Sequence, residues 1–238
     1  MCARFTLRLG AEAVKQLFEL EETPELPERF NIAPTQDVPA VLTDKEGHRR
    51  MKMLRWGLVP YWAEDVSIGS RLINAKCETV DEKPAFRKAF AKRRCLIPTD
   101  GFYEWKEVQE GQPDLFGERP AKTKIRKQPY HITMKDGGLF AFAGIWEFWK
   151  GPDGNDVLSC SILTCEPNEL VSDLHDRMPL IVAPEDFDLW MDREIQTSGP
   201  LQPILRPFPA ERMAITPVNP IVGNPNNEGP ECIESMSA

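Results

Sequence analysis

The chain has 238 residues, of which 41% are hydrophobic and 28% charged, and its formal net charge is -8. That balance fits a folded chain long enough for one large domain or two small ones, and it excludes collagen, coiled coil and a wholly disordered chain. The longest apolar stretch, Leu139 to Trp146, is too short to span a bilayer, and MCARFTLRLG has neither the apolar core nor the cleavage site of a signal peptide. The expected location is therefore the cytoplasm, with the six cysteines reduced.

Along the chain, Ala11–Glu22 places Val14, Leu17 and Phe18 on one face among acids, the pattern of a short amphipathic helix. PAVLT and MKMLRW, between Val38 and Trp56, flank the polar turn Asp44–Arg50 and predict a hairpin. Glu82–Arg94 predicts a second helix with Pro84 in its first turn. Phe86, Ala89 and Phe90 lie along one side of it, and Lys83, Arg87, Lys88, Lys92, Arg93 and Arg94 along the other.

Strand-like runs follow at Cys95–Pro98, Phe102–Lys106, Tyr130–Met134, Leu139–Phe148 and Val157–Thr164. Between them Gln109–Lys127, rich in Gly, Pro and charge, reads as a mobile surface loop. Pro184–Trp190 reads as a third helix, and the last few residues as disordered. No repeat, low-complexity tract or linker interrupts the pattern. The expected architecture is one α+β domain over residues 1–238, built on a largely antiparallel, barrel-like sheet with a few flanking helices.

The acidic total hides a polarity. Residues 71–130 carry 14 basic and 9 acidic side chains, whereas 151–238 carry 4 basic and 15 acidic. Such asymmetry fits either a nucleic-acid face or two differently solvated surfaces.

The second residue has distinctive chemistry. Removal of Met1 would leave Cys2 with an α-amine and a thiol on one residue, both partly nucleophilic near neutral pH. A 1,2-aminothiol condenses with an aldehyde to an imine, and the thiol then closes a thiazolidine ring. Other polar clusters are candidates to serve such a reaction. Asn31 precedes a turn set by Pro34, while Asn74, Lys76 and Glu78 alternate on one face of an extended segment. Glu104 lies among aromatics, a setting that raises a carboxyl pKa by desolvation, and His175 is followed by Asp176 and Arg177. Each has a structural alternative: a turn Asn bonding its own backbone, a surface Glu leaning on Trp105, a His donating one structural hydrogen bond.

Taken in order, MCARF (1–5), FNIAP (30–34), RWGLVPYW (55–62), INAKCET (73–79), GFYEWK (101–106), HDRMP (175–179) and VGNPNNEGPE (222–231) resemble the SRAP family. These are abasic-site processing proteins that crosslink to abasic sites in single-stranded DNA. The resemblance implies that Cys2 forms the thiazolidine with the ring-opened sugar and that Asn74 orients it. It implies that Glu104 moves protons, and that His175 hydrogen-bonds the sugar and helps to open it. Arg4 and Lys76 would meet phosphates, Trp62 and Trp105 would stack or wedge beside the lesion, and Asn31 and Pro34 would line the same cleft. The implied partner is single-stranded DNA containing abasic sites, met by a monomer without membrane, metal or other cofactor. The basic and aromatic side chains of 71–130 suit single-strand binding on physical grounds as well.

Two positions depart from the family pattern. Ala3 stands where Gly is usual, and Lys76 stands where Arg is frequent, exchanging a two-bond phosphate grip for a point charge. Two other function classes compete. One is a cysteine peptidase or autoprotease using Cys2, His175 and Asn74, and the other is a non-catalytic single-strand binding module.

Overall fold

The computed structural model describes residues 3–110, 124–152 and 154–236. Cys2, residues 111–123 of the expected surface loop and the last two residues, expected to be disordered, lie outside them.

Phe5–Leu7 forms β1, a strand with Phe5 and Thr6 fully buried and Leu7 nearly so. A strand that exposes no residue must be covered on both faces. On its edges it pairs antiparallel with β2 (Arg29–Ile32) and β7 (Gly101–Glu110). β7 pairs in turn with β8 (Lys124–Met134), and β8 with β13 (Met213–Pro217), giving a five-stranded antiparallel sheet.

The second sheet holds the expected hairpin, β3 (Asp37–Thr43) and β4 (Arg49–Trp56), together with β6 (Arg94–Thr99), β9 (Phe140–Trp149) and β10 (Val157–Cys165). Their order is β10-β4-β3-β6-β9, and β9 pairs back onto β10, so the ring closes into a barrel. Closure removes open edges that would otherwise template aggregation. Two pairings depart from the antiparallel rule: β10 runs parallel to β4 and to β5 (Asn74–Lys76). Two-residue strands, β11 (Met178–Pro179) and β12 (Ile181–Val182), flank β10 and β9.

Where sheet and barrel meet, Phe5 sets its ring edge-on to Trp56 at 5.2 Å and to Phe142 at 5.7 Å. Phe102 meets Phe142 at 5.9 Å. Each buried ring contributes roughly 2–3 kcal/mol of transfer free energy, so this cluster carries much of the joint between the layers.

Four expected boundaries move. Helix α1 (Ala11–Phe18) buries Val14 and Phe18 as its periodicity requires, but it stops before Glu22 because Glu19 adopts the left-handed conformation (φ 53) and bonds back to Gln16 and Lys15 carbonyls. Helix α2 is confined to Arg87–Lys92. The residue before a proline is biased away from the helical region, and Pro84 accordingly sits in a series of turns in which Lys83 N–H reaches the Thr79 carbonyl. The expected loop Gln109–Lys127 is shorter at both ends, because the β7–β8 ladder continues to the register Glu110↔Lys124, with the opposite charges of Glu107 and Lys127 facing one another at 4.0 Å. The Pro184–Trp190 segment begins as a 3-10 turn over Pro184–Asp186, and only Phe187–Met191 is α-helical; it is α4, following the single turn α3 (Glu169–Ser172).

Between β4 and β5 the chain makes an excursion that carries Trp62. Its base is pinned where two glycines touch backbone to backbone. A Cβ on Gly57 (φ +132) would lie 2.7 Å from the Gly69 carbonyl oxygen, and one on Gly69 would lie 2.5 Å from that of Gly57. Neither obstacle is a flexible side chain. Gly69→Ala is therefore expected to cost about 2–3 kcal/mol, read as a fall in melting temperature, whereas Gly199→Ala, with nothing within 4 Å, should change stability by less than about 0.5 kcal/mol. Equal melting temperatures for the two variants would refute the close-approach argument.

Candidate active site

Alternation along β7 sends Phe102 into the barrel-side core and Tyr103 into a smaller cluster with Val218, Val222 and Cys232. Glu104 falls on the side of Phe102 and is 3% exposed. Burial strips its carboxyl of hydration and the Asp176 carboxylate adds a like charge, so its pKa is pushed up to about 7. A carboxyl with that value gives and takes protons at neutral pH.

Asp176 also links Glu104 to the second candidate. His175 is half-buried, and its Nδ1 lies 2.8 Å from Asp176 Oδ1 and 3.0 Å from the backbone nitrogen of Arg177. One nitrogen cannot accept from Arg177 and donate to Asp176 at once. Burial pulls the ring pKa below its usual value, so the neutral ring is the form to expect: Nδ1 accepts from Arg177 N–H and Nε2 carries the proton. Protonation would turn Nδ1 toward Asp176.

Arg177 anchors this turn onto the strand that bears Asn74. Its guanidinium grips Glu78 with two bonds, 2.6 and 2.8 Å, and donates to the Thr164 carbonyl at 2.6 Å. Glu78 lies two residues beyond β5, and β5 is held by β10 in the register Ile162↔Asn74 and Thr164↔Lys76. Within β5, Asn74 is half-buried, Ala75 buried and Lys76 exposed, so Asn74 and Lys76 occupy alternate positions of the strand, whereas Glu78 lies beyond its end.

A third group comes from the N-terminal strand. Tyr103 N–H donates to the Arg4 carbonyl at 3.0 Å, continuing the ladder toward the Glu104 end of β7. The Arg4 guanidinium donates to Asn31 Oδ1 at 2.8 Å and to the carbonyls of Val222 at 2.9 Å and Gly223 at 3.3 Å; burial lowers its pKa from the usual value. Asn31 is fully buried, and its amide nitrogen donates to the carbonyls of Val222, Asn224 and Asn227. Both side chains are therefore engaged with the C-terminal segment. Glu228 completes the clasp by accepting from the backbone N–H groups of Phe30 and Asn31 at 2.8 and 3.0 Å.

Of the remaining candidates, Pro34 is half-buried at a turn beside Thr35 (φ 73), and Trp62 is 49% exposed on the glycine-pinned excursion. Trp105 is half-buried, its ring 6.3 Å from that of Tyr103. The structure thus joins Glu104 to the His175 turn, that turn to the Asn74 strand, and Arg4 to Asn31, while Cys2 lies outside the described residues. Sequence reasoning singled out neither Arg177, although HDRMP contains it, nor Glu228, whose partners lie about 200 positions away.

Every described cysteine is a poor nucleophile. Burial pushes the thiol of Cys77 up to about 11 and that of Cys165 to about 12, and raises those of Cys95, Cys160 and Cys232 as well. Among the described residues no group of three or more His, Cys, Asp or Glu is placed to hold a metal ion.

Residues 1–225 match the family model for SOS response associated peptidase (SRAP). The chain belongs to the SRAP family. SRAP-type relatives include "Abasic site processing protein YoqW" of Bacillus subtilis (strain 168), 41% identical over 99% of this chain and 100% of that one. The mouse "Abasic site processing protein HMCES" is 31% identical over 86% of this chain and 64% of its own length. A crystal structure of a protein from Bacteroides thetaiotaomicron has the same fold, with a TM-score of 0.82 at 23% identity, covering 99% of this chain and 100% of that one. The segments that carry the SRAP resemblance also supply Arg4, Asn31, Asn74, Glu104 and His175.

The Glu104 environment predicts a pH dependence. The ordinary value is 4.5 and the folded value about 7, so between these limits the folded protein keeps a proton that the unfolded chain releases. Stability therefore falls as pH rises through that window, and the loss is complete above it. Glu104→Gln should flatten this slope and stabilise the protein at pH 8 by on the order of 2–3 kcal/mol, while leaving it within about 0.5 kcal/mol of the parent at pH 4. Thermal melts across pH check this, and a variant less stable than the parent at pH 8 would sink it.

Proposed function

We propose that this protein processes abasic sites in single-stranded DNA by forming a covalent thiazolidine between residue 2 and the lesion. The observation that carries the reading is the Glu104 carboxyl buried on β7, its pKa pushed up to about 7 by burial and by Asp176, which itself lies 2.8 Å from the Nδ1 of a His175 ring whose pKa burial lowers. An open-chain sugar aldehyde needs a group that both gives and takes protons near neutral pH. Two further points support it. The relatives at 41% and 31% identity carry the name abasic site processing protein. With every described thiol suppressed by burial, Cys2 is the cysteine left for chemistry.

The steps balance as follows. One group takes the proton of the sugar's anomeric hydroxyl while another protonates the ring oxygen, giving the open aldehyde; Glu104 and His175 are assigned to this exchange. With Met1 removed, the Cys2 amine adds to the aldehyde carbon, water leaves, and an imine results. The thiol sulfur then adds to the imine carbon and its proton passes to nitrogen, closing the ring. Asn74 is assigned to orient Cys2, and Lys76 and Trp62 to phosphate and base contacts beside the lesion. Arg4 and Asn31, engaged with the C-terminal segment, are assigned to holding the strand that leads to Cys2. The imine also acidifies the sugar's C2′ hydrogen, so β-elimination and strand cleavage compete with ring closure.

The test is a denaturing gel after mixing Met-processed protein with an oligonucleotide bearing one abasic site. A band that survives denaturation, requires the lesion and disappears in Cys2→Ala is expected. Without the thiol, imine carbon is left to β-elimination, so Cys2→Ala should also release more cleaved strand. Adduct formation should lose its ionisation near pH 7 in Glu104→Gln and slow by roughly 10²-fold or more at neutral pH. An adduct that persists in Cys2→Ala, or peptide hydrolysis that needs Cys2 but no DNA, would overturn the proposal in favour of another nucleophile or the peptidase reading.

A further inference from the structure

The cations of α2 take no part in the site described above, and the exposed ones lie together on one face. Arg87, Lys88 and Lys92 are exposed, Ala89 and Phe90 are buried, and the helix contains no acid. At one end Lys88 Nζ sits 3.9 Å from the centre of the Tyr61 ring, and Tyr61 and its neighbour Trp62 are about half exposed, at 52% and 49%. These aromatics, with Asp81, Arg87, Lys88 and Gln196, line an open groove of about 550 Å³. At the other end a cavity of about 270 Å³ is lined by Lys92, Arg93, Arg94, Arg193 and Trp146, with no carboxylate in its wall.

The charge of this second cavity is only partly spent. Arg93 pairs with Glu147 at 2.6 Å and lies over the Trp146 ring. Arg94 is 7% exposed and bonds only to carbonyls, those of Phe90, Trp190, Ile195 and Asp192. A helix C-terminus ordinarily presents negative dipole ends, which repel phosphate. Arg94, tied to the Phe90 carbonyl, places a full positive charge beneath that end of α2 and reverses the local sign. The cleft joining groove and cavity shares Gln196 with one and Lys92 and Arg193 with the other, and it also carries Asp44, Glu46, Asp188, Asp192 and Glu194, so the cationic line is the helix face itself rather than this cleft.

We infer that the exposed face of α2, with Tyr61–Trp62 at one end and Lys92–Arg193 at the other, is a contact track for single-stranded DNA flanking the lesion. This rests on the reading that the Glu104 site takes single-stranded DNA. Charge complementarity assigns phosphates to the lysines and arginines, and the half-exposed rings of Tyr61, with Lys88 over one face, and Trp62 assign the bases. A duplex hides its base faces and would leave Tyr61 unused, so the track favours the single strand.

The test compares the parent with an Arg87→Glu/Lys88→Glu/Lys92→Glu variant and, separately, with Tyr61→Ala. Fluorescence anisotropy would use a short oligothymidylate (about 6 nucleotides), a long one (about 24) and a duplex of the longer length, over a range of salt. The triple variant should bind the long single strand at least tenfold more weakly, with the slope of log affinity against log salt reduced by about 2. Its loss on the short strand should be less than twofold, and its loss on the duplex smaller than on the long strand. Tyr61→Ala, which keeps every charge, should weaken long-strand binding several-fold without moving the slope. An unchanged slope overturns the track, and an equal loss on duplex overturns its preference for the single strand.

Adduct formation by the parent on a short abasic-site oligonucleotide separates the two readings. A missing adduct with a slope that still depends on α2 sinks the abasic-site chemistry and leaves the track. A normal adduct with an unmoved slope does the reverse.

Discussion

The structure depends on making an N-terminal strand into an interior strand. β1 has only three residues, yet it lies between β2 and β7 with Phe5 and Thr6 fully buried. So short a strand holds its place only if its polar groups are met. The Thr6 hydroxyl donates to Asp100, and His131 Nε2 lies 3.1 Å from the same hydroxyl. Asp100 also accepts from the backbone of Arg8 and Leu9 and pairs with the Arg8 side chain at 3.1 Å. Burial lowers the His131 pKa to about 4, so the ring is neutral and serves as a donor to Thr6. Phe5 then supplies the apolar contact that binds sheet to barrel.

Two carboxyl groups a few residues apart have different surroundings, Asp100 in the bend before β7 and Glu104 within β7. Asp100 is wrapped in donors and acts as a clamp. Glu104 lies farther along β7 on the apolar side, where lost hydration and Asp176 leave it poised to exchange protons. Neighbouring stretches of chain thus hold one carboxyl satisfied by donors and one deprived of hydration, and the bond from Tyr103 N–H brings the Arg4 backbone alongside the second.

The legible parts of the sequence are those whose signal is local. The β3–β4 hairpin announces itself through two apolar runs around Asp44–Arg50, and Glu104 through a carboxylate set among aromatics. β1, β2, β5 and β13 are too short to establish a period of their own, and what makes them strands is the partner that each one meets. The sequence pattern makes α2 longer than it is, because charged residues continue back through Glu82–Lys83 while Pro84 breaks the backbone without interrupting them. Arg177 and Glu78 are 99 positions apart, and nothing local to either marks the pair that fastens the His175 turn to the Asn74 strand.

Arg4 bonds a carbonyl 218 positions farther along the chain. A ribosome adds roughly 5–20 residues per second, so about 10–40 seconds separate the emergence of Arg4 from that of Val222. Throughout that interval Arg4 has no finished clasp to enter, so the strand it belongs to is fastened only after nearly the whole chain has emerged, and the clasp is the last part of the site to assemble.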